Sequence, residues 1–296
     1  MRRTGLSVCC LLLCLSFVVP AGAAPLPQDP APPPTPAQEP ERNDPDVVVN
    51  PMQPEFTLLA LPTTLRMPAG KWAFRVTHRF TRDLGQGDVG DLFSNLFGID
   101  GGAQIGLEVR YGLLPGTQVG VHRTSDRTIQ LFAQHNILSE RPATGETPPG
   151  RRGGPFGMDV IATLEGWDNL SENHQGAVGL VLSKNAGRIA ALYLEPMMVF
   201  EPASSDVGDQ HTFMLGVGGR VRLGRTMYLM GEYVPRLAGY KPFADQISFG
   251  FESRAGGHLF QLNVGNGFGT TLGQLAQGTG DYDRWYLGFS IARKFF

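Results

Sequence analysis

The chain closes on Trp285-Tyr286-Leu287-Gly288-Phe289-Ser290-Ile291-Ala292-Arg293-Lys294-Phe295-Phe296. Trp285, Leu287, Phe289 and Ile291 alternate with Tyr286, Gly288, Ser290 and Ala292. A period of two sends neighbouring side chains to opposite faces, so the stretch is a strand with one apolar face. Two architectures use such a strand. A barrel turns the apolar face to lipid; a soluble β protein buries it at an edge. Alternation in one segment is a weak signal, so the rest of the chain must decide.

Working back toward the N-terminus, about twelve strands can be read: Lys71–Arg82, Gln104–Leu113, Thr117–Thr124, Thr128–Leu138, Met158–Gly166, Ala177–Lys184, Arg188–Phe200, His211–Leu223, Met227–Val234, Gln246–Arg254, His258–Gly265 and Trp285–Phe295. Many approach the ten residues that cross a bilayer when tilted. Ile105, Leu107, Val109 and Tyr111 oppose Gln104, Gly106, Glu108 and Arg110; Ile247, Phe249 and Phe251 oppose Ser248, Gly250 and Glu252. His78 and His135 fall on apolar faces, which calls for a bulge or a rim position.

The links also alternate. Asn185-Ala186-Gly187, Gly224-Arg225-Thr226 and Ala255-Gly256-Gly257 are tight turns, whereas Asp83 to Ala103, Trp167 to Gly176, Glu201 to Gln210, Pro235 to Asp245 and Asn266 to Arg284 are long. Short links on one rim and long ones on the other fit a closed antiparallel up-and-down transmembrane β-barrel. An even strand number puts both ends on one side. Ser139 to Gly157 is long on the short side, and Ser125 to Arg127 is short on the long side. That inversion puts the strand count between residues 117 and 166 in question.

Composition permits this reading. Hydrophobic residues make up 42% and mean hydropathy is −0.10, an average a barrel shares with soluble proteins because only alternate residues meet lipid. Beyond the N-terminus no run approaches a spanning helix. A net charge of −2 gives nucleic acid no basic footprint. Cys9, Cys10 and Cys14 are the three cysteines of the chain, so removal of the first segment leaves no thiol.

That first segment, residues 1–23, has Arg2 and Arg3, an apolar run from Leu6 to Val19, and Ala21-Gly22-Ala23. It reads as a secretory signal peptide cleaved after Ala23. Residues 24–55 are Pro-rich and too polar to fold, and read as a disordered periplasmic arm. Residues 56–296 are then the barrel domain. Phe56 to Leu61, like Val47-Val48-Val49 in the arm, could add a short strand or pack at the barrel mouth. The expected location is the outer membrane of a Gram-negative cell.

Charged residues on the predicted inner face are the candidate lumen lining: Arg75, Arg79, Glu108, Arg110, Glu165, Glu195, Arg220, Arg222, Glu232 and Glu252. A cation facing lipid at mid-depth would cost ~2–4 kcal/mol, so these belong inside. There they either line a narrow polar path or cross-pair to fill a small lumen. The link Asp83 to Ala103 surrounds Leu92, Phe93, Leu96 and Phe97 with Asp88, Asp91 and Asp100; it is either an inward constriction or a surface loop. Gly278 to Asp283 has two carboxylates but not the full calcium-loop pattern. His122, Thr124, Ser125 and Asp126 are too close in sequence to converge as a triad, and no nucleophile or zinc motif appears. No catalytic, cofactor or metal residue is assigned, and an enzyme is not expected. Trp72, Trp167 and Trp285, with Tyr111, Tyr228, Tyr233, Tyr240 and Tyr286, are candidate interfacial girdles.

Phe74-Arg75-Val76-Thr77-His78-Arg79-Phe80, Leu96 to Ala103, Val119 to Arg123, Gly256 to Leu262 and Leu287 to Arg293 together resemble an uncharacterised bacterial family of predicted membrane-bound β-barrel proteins, over roughly Lys71 to Phe296. The resemblance implies an outer-membrane barrel and carries no activity with it. By the same resemblance the terminal aromatic strand is what barrel-assembly machinery reads. Phe296, one residue past the usual parity, departs from that pattern. Three functions stay open: a narrow pore or passive solute channel, a non-transporting structural or surface-interaction barrel, and a soluble periplasmic β ligand-binding protein. The expected partners are outer-membrane lipid, the assembly machinery and a small solute.

Overall fold

Twelve strands form, in the order the alternation sets out. The computed structural model describes residues 52–99, 101–141, 152–202, 211–255 and 257–296. The signal-peptide reading, nearly all of the arm, Asp100 and Gly256 lie outside the described residues. We number the strands β1 (Trp72–Asp83), β2 (Ala103–Leu114), β3 (Thr117–Thr124), β4 (Ile129–Glu140), β5 (Gly157–Gly166), β6 (Glu172–Ala186), β7 (Ala190–Phe200), β8 (Thr212–Arg222), β9 (Met227–Val234), β10 (Gln246–Ala255), β11 (His258–Gly265) and β12 (Tyr286–Phe295). Each pairs antiparallel with its sequence neighbours, and β1 closes on β12 from Trp72↔Phe295 to Arg79↔Gly288. Closure leaves no sheet edge, as a membrane-spanning sheet requires.

The wall has an apolar outside. Ile105, Leu107, Val109 and Tyr111 of β2 are exposed, while Gly106, Glu108, Arg110 and Gly112 are buried; the other strands repeat this. The soluble alternative needs those apolar residues buried against a second sheet, and they are not. Among the described residues no helix is long and apolar enough to cross a membrane.

The inversion between residues 117 and 166 is real, and the strand count stands. The short link works because the Asp126 carboxylate caps it, accepting from the Thr124 hydroxyl and from Thr128 N–H. On the opposite rim the long link folds back, and Gly153–Gly154 pairs parallel with Ser139 and Glu140. Strand β6 begins at Glu172, earlier than the sequence suggests, leaving a tight turn at Trp167–Leu170 with Asp168, Asn169 and Leu170 in the left-handed region. Pro235, lacking an N–H, interrupts β9, which resumes as Arg236–Gly239.

Two outward histidines sit differently. His78 needs no bulge: it pairs in register with Ile105 and Phe289, and its ring lies 4.7 Å from Phe80 and 4.9 Å from Phe289. The β1–β12 register shifts only beyond Arg79. His135 is at the tight-turn rim, where its Nδ1 lies 2.8 Å from the Thr117 hydroxyl. Trp72 stacks on Phe295 at 3.8 Å between ring centres at that rim, and Trp285 lies 6.3 Å from Phe249 near the other. Tyr228 is no girdle residue; it is fully buried inside the wall.

Candidate functional site: a filled lumen

The residues just before β1 occupy the barrel interior. Residues 52–67 are almost wholly buried, and Thr57 bridges Pro62 to make a hairpin with its tip at residues 58–61. Its partners come from all around the wall: Arg75 and Arg79 on β1, Gln118 on β3, Gln134 and Ser139 on β4, Ser183 on β6, Arg220 on β8, Glu232 on β9, Gln261 on β11 and Lys294 on β12. A segment reached from so many directions can only lie inside. Met52 to Glu55, read from sequence as the end of a disordered arm, are therefore packed, and Phe56 to Leu61 lie within the lumen rather than at its mouth.

The wall holds this hairpin largely by its backbone. Glu232 accepts the N–H groups of Leu59, Ala60 and Leu61 at 3.0–3.1 Å. Opposite, Arg75 and Arg79 donate to the Leu59 carbonyl at 2.6 and 3.3 Å. Arg220 donates to the Thr57 carbonyl at 3.1 Å and Gln261 to the Leu58 carbonyl at 2.7 Å. A buried peptide group needs such partners, and charged ones bind it more strongly than neutral ones. Side chains follow the same fit. A Cβ at Gly216 would lie 2.8 Å from Leu61 and one at Gly250 would lie 2.7 Å from Leu59, while Gly218 makes room for Leu58.

The wall charges also pair among themselves. Arg110 donates to Glu108 at 2.9 Å, Arg75 lies 3.7 Å from the other oxygen of that carboxylate, and His122 Nδ1 lies 3.9 Å from it. The Arg110 guanidinium is sandwiched, 4.4 Å from the Phe132 ring centre and 5.0 Å from that of Phe56. Arg220 and Glu252 form a fully buried pair at 2.9 Å. Thus seven of the ten sequence candidates, namely Arg75, Arg79, Glu108, Arg110, Arg220, Glu232 and Glu252, surround the hairpin.

Of the remaining three, Glu165 and Arg222 go elsewhere, and Glu195 borders the hairpin near Leu61 without bonding to it. Glu165, at the top of β5, accepts from the Thr271 hydroxyl at 2.9 Å and Gly273 N–H at 3.1 Å. Glu195 is buried with neither oxygen hydrogen-bonded among the described residues. Arg222 is only half-buried and donates to the carbonyls of Gly224 and Arg225 in the tight turn after β8.

A second element enters from the long-link rim, and it is not the Asp83 to Ala103 link, which takes the surface-loop alternative. In residues 266–285 the helix Leu272–Gln277 buries Leu272, Leu275 and Ala276 inside the wall. These join Leu58, Leu61, Ile161, Val181, Tyr193, Met197, Met214 and Val234 in one apolar cluster. The link after β1 instead carries the exposed, side-chain-capped helix Val89–Ser94, and Gly98 packs on the outer side near Phe80 and Arg82. Between hairpin, helix and the β2–β5 wall remains a cleft with about 350 Å³ of empty space, including what opens to solvent. Asp126 is held by Thr124, Gln104 and Gln274, away from His122, and Asp281 lies 3.3 Å from Arg284.

Sequence reading missed the hairpin, although two signals pointed to it. One is the apolar run Leu58-Leu59-Ala60-Leu61 directly after a Pro-rich stretch. The other is glycine at the inward positions 216, 218 and 250, which leaves space that something must fill.

Residues 55–295 match the model of a family described as a membrane bound beta barrel domain, DUF5777. The chain belongs to that family. Its matched span starts within the hairpin, so the lumen segment is part of the domain. No curated protein matches the chain. Among solved structures, a NanC porin is similar over 75% of this chain and all of its own, at 7% identity and a TM-score of 0.51. The COG4313 outer membrane channel from Pseudomonas putida F1 aligns over 78% of this chain and 97% of its own, at 11% identity and a TM-score of 0.46. A Rhodopseudomonas blastica porin mutant aligns over 70% and 58%, at 11% identity and 0.34. The first likeness speaks for the fold alone, and the other two add nothing to it.

Proposed function

We propose that the protein is an outer-membrane channel for small polar solutes, closed in this conformation by its own N-terminal hairpin. The supporting observation is how the hairpin is held. Among the described residues it joins no wall strand and its only bridge is internal, and charged side chains grip its peptide groups. Withdrawing it leaves every strand pairing intact and bares a polar, charged path. On this reading residues 1–23 direct export, the arm lies on the periplasmic side with the tight turns, and assembly machinery reads the closing strand.

Planar-bilayer recording tests this. The intact protein should give no steady conductance, and Ala60→Pro, which deletes an N–H bound to Glu232, should produce open events. A folded Leu58→Asp/Leu61→Asp barrel with an ejected hairpin and no conductance would defeat the channel.

A second reading has its own support. The helix Leu272–Gln277 fills part of the opposite end by apolar burial, as in a structural or surface-interaction barrel. Silence in both hairpin variants would favour it.

A further inference from the structure

One peptide group bridges the lumen. The Leu59 carbonyl oxygen receives Arg75 and Arg79, and the N–H of that same peptide group, on Ala60, goes to Glu232. Two guanidinium groups thus face a carboxylate across a gap the width of a single amide. The guanidinium pair is arranged for something more negative than a carbonyl: Arg79 Nη1 is buried with no hydrogen-bond partner among the described residues. The carboxylate is likewise arranged for a donor richer than one amide, since it collects three N–H groups at once.

From this we infer that the hairpin tip occupies a solute site and that the solute carries an α-amino acid skeleton, as a free amino acid or short peptide. The inference rests on the channel reading. A carboxylate would replace the Leu59 carbonyl between Arg75 and Arg79, bidentate recognition being what a guanidinium does best. An α-ammonium, one carbon away, would replace the amide N–H at Glu232. The hairpin's leucines mark where an aliphatic side chain would go, against Gly216, Gly218 and Gly250. A purely anionic solute would leave Glu232 buried and unpaired; a purely cationic one would do the same to Arg79, whereas Arg75 keeps Glu108. Either loss is costly, which gives the site its selectivity. Gln261 and Arg220, which now take the Leu58 and Thr57 carbonyls, would serve the next peptide group of a dipeptide.

The test uses full-length Ala60→Pro in detergent. L-leucine, leucyl-alanine, 4-methylpentanoate (no ammonium) and 3-methylbutylamine (no carboxylate) are titrated by calorimetry, with KCl conductance recorded separately. Leucine or leucyl-alanine should bind at least tenfold tighter than both truncated analogues. Which of the two binds tighter separates free amino acid from peptide. Adding Arg79→Gln or Glu232→Gln should erase the preference. A synthetic peptide of residues 56–63 should compete with leucine. Leu58→Asp/Leu61→Asp provides a second displaced hairpin should the proline variant remain closed. Equal binding of all four probes, or none in a folded variant with the hairpin out, overturns the solute site. KCl conductance without that preference leaves the channel standing, and selective binding without conductance leaves the site standing and removes the channel.

Discussion

The lumen has two occupants, and they are tethered differently. The hairpin of residues 52–67 enters from the tight-turn rim and is tied to the wall at one end, through Pro68. Glu232, Arg75, Arg79, Arg220, Gln261 and Gln134 grip its backbone, while Leu58, Leu59, Leu61 and Met67 are fully buried. The link of residues 266–285 enters from the other rim, is tied to β11 and β12 at its two ends, and holds by burying Leu272, Leu275 and Ala276. Polar contacts can be exchanged for water or solute at little net cost, because each replaces a comparable bond. Apolar burial has no such substitute. Both occupants share that burial in one cluster, so what separates them is the tether: one end for the hairpin, two for the helix.

The largest effect should come where the wall itself supports the hairpin. Arg220→Leu strips the fully buried Glu252 of its partner and should cost about 3–5 kcal/mol, the usual penalty for orphaning one member of a buried pair. Urea unfolding from lipid vesicles measures it, and a loss near zero would show that water reaches the pair. Next, Leu275→Ala should cost about 2–5 kcal/mol as a core truncation, yet leave the bilayer silent. Conductance from this variant would erase the contrast between a fixed and a removable occupant. Ala60→Pro removes one charge-assisted bond of about 1.5–3 kcal/mol. It should open the barrel while moving its unfolding midpoint less than Leu275→Ala does.

How much of this was legible follows the same division. The wall was readable because a strand's period writes its two faces directly into the sequence; Ile105 to Tyr111 against Gln104 to Arg110 needs no partner to interpret. Closure was readable from the alternation of short and long links rather than from the terminal strand alone. The irregular links between residues 117 and 166 looked like miscounted strands because Asp126 closes a turn with its side chain, which periodicity does not record. The occupants were not readable. Leu58 to Leu61 and Leu272 to Ala276 have no period of their own, and their place is fixed by contacts with residues more than a hundred positions away. Inner charges could be listed, but not sorted. Arg222 follows the same alternation as Arg220, and proximity to the turn alone separates a residue bonded to turn carbonyls from one bonded to the hairpin.

The smallest effect concerns the base of the hairpin and sharpens the electrostatic part of its hold. Burial alone would raise the Glu55 carboxyl. The Lys294 ammonium at 2.9 Å and the Phe56 N–H at 2.8 Å outweigh it and keep the group below its ordinary 4.5. A carboxyl depressed in the docked state stabilises docking fully above its ordinary value, and that stabilisation fades as pH falls through the depressed one. Acid should therefore loosen the hairpin. Open events in wild-type bilayers should become more frequent below pH 4.5, and Glu55→Gln should flatten that part of the profile by starting from the loosened state. Glu232 at the tip can add its own acid dependence, so the diagnostic is the difference between the two profiles. Coincident profiles would mean that the ion pair with Lys294 does not help to hold the hairpin, leaving only the tip contacts to keep it in place.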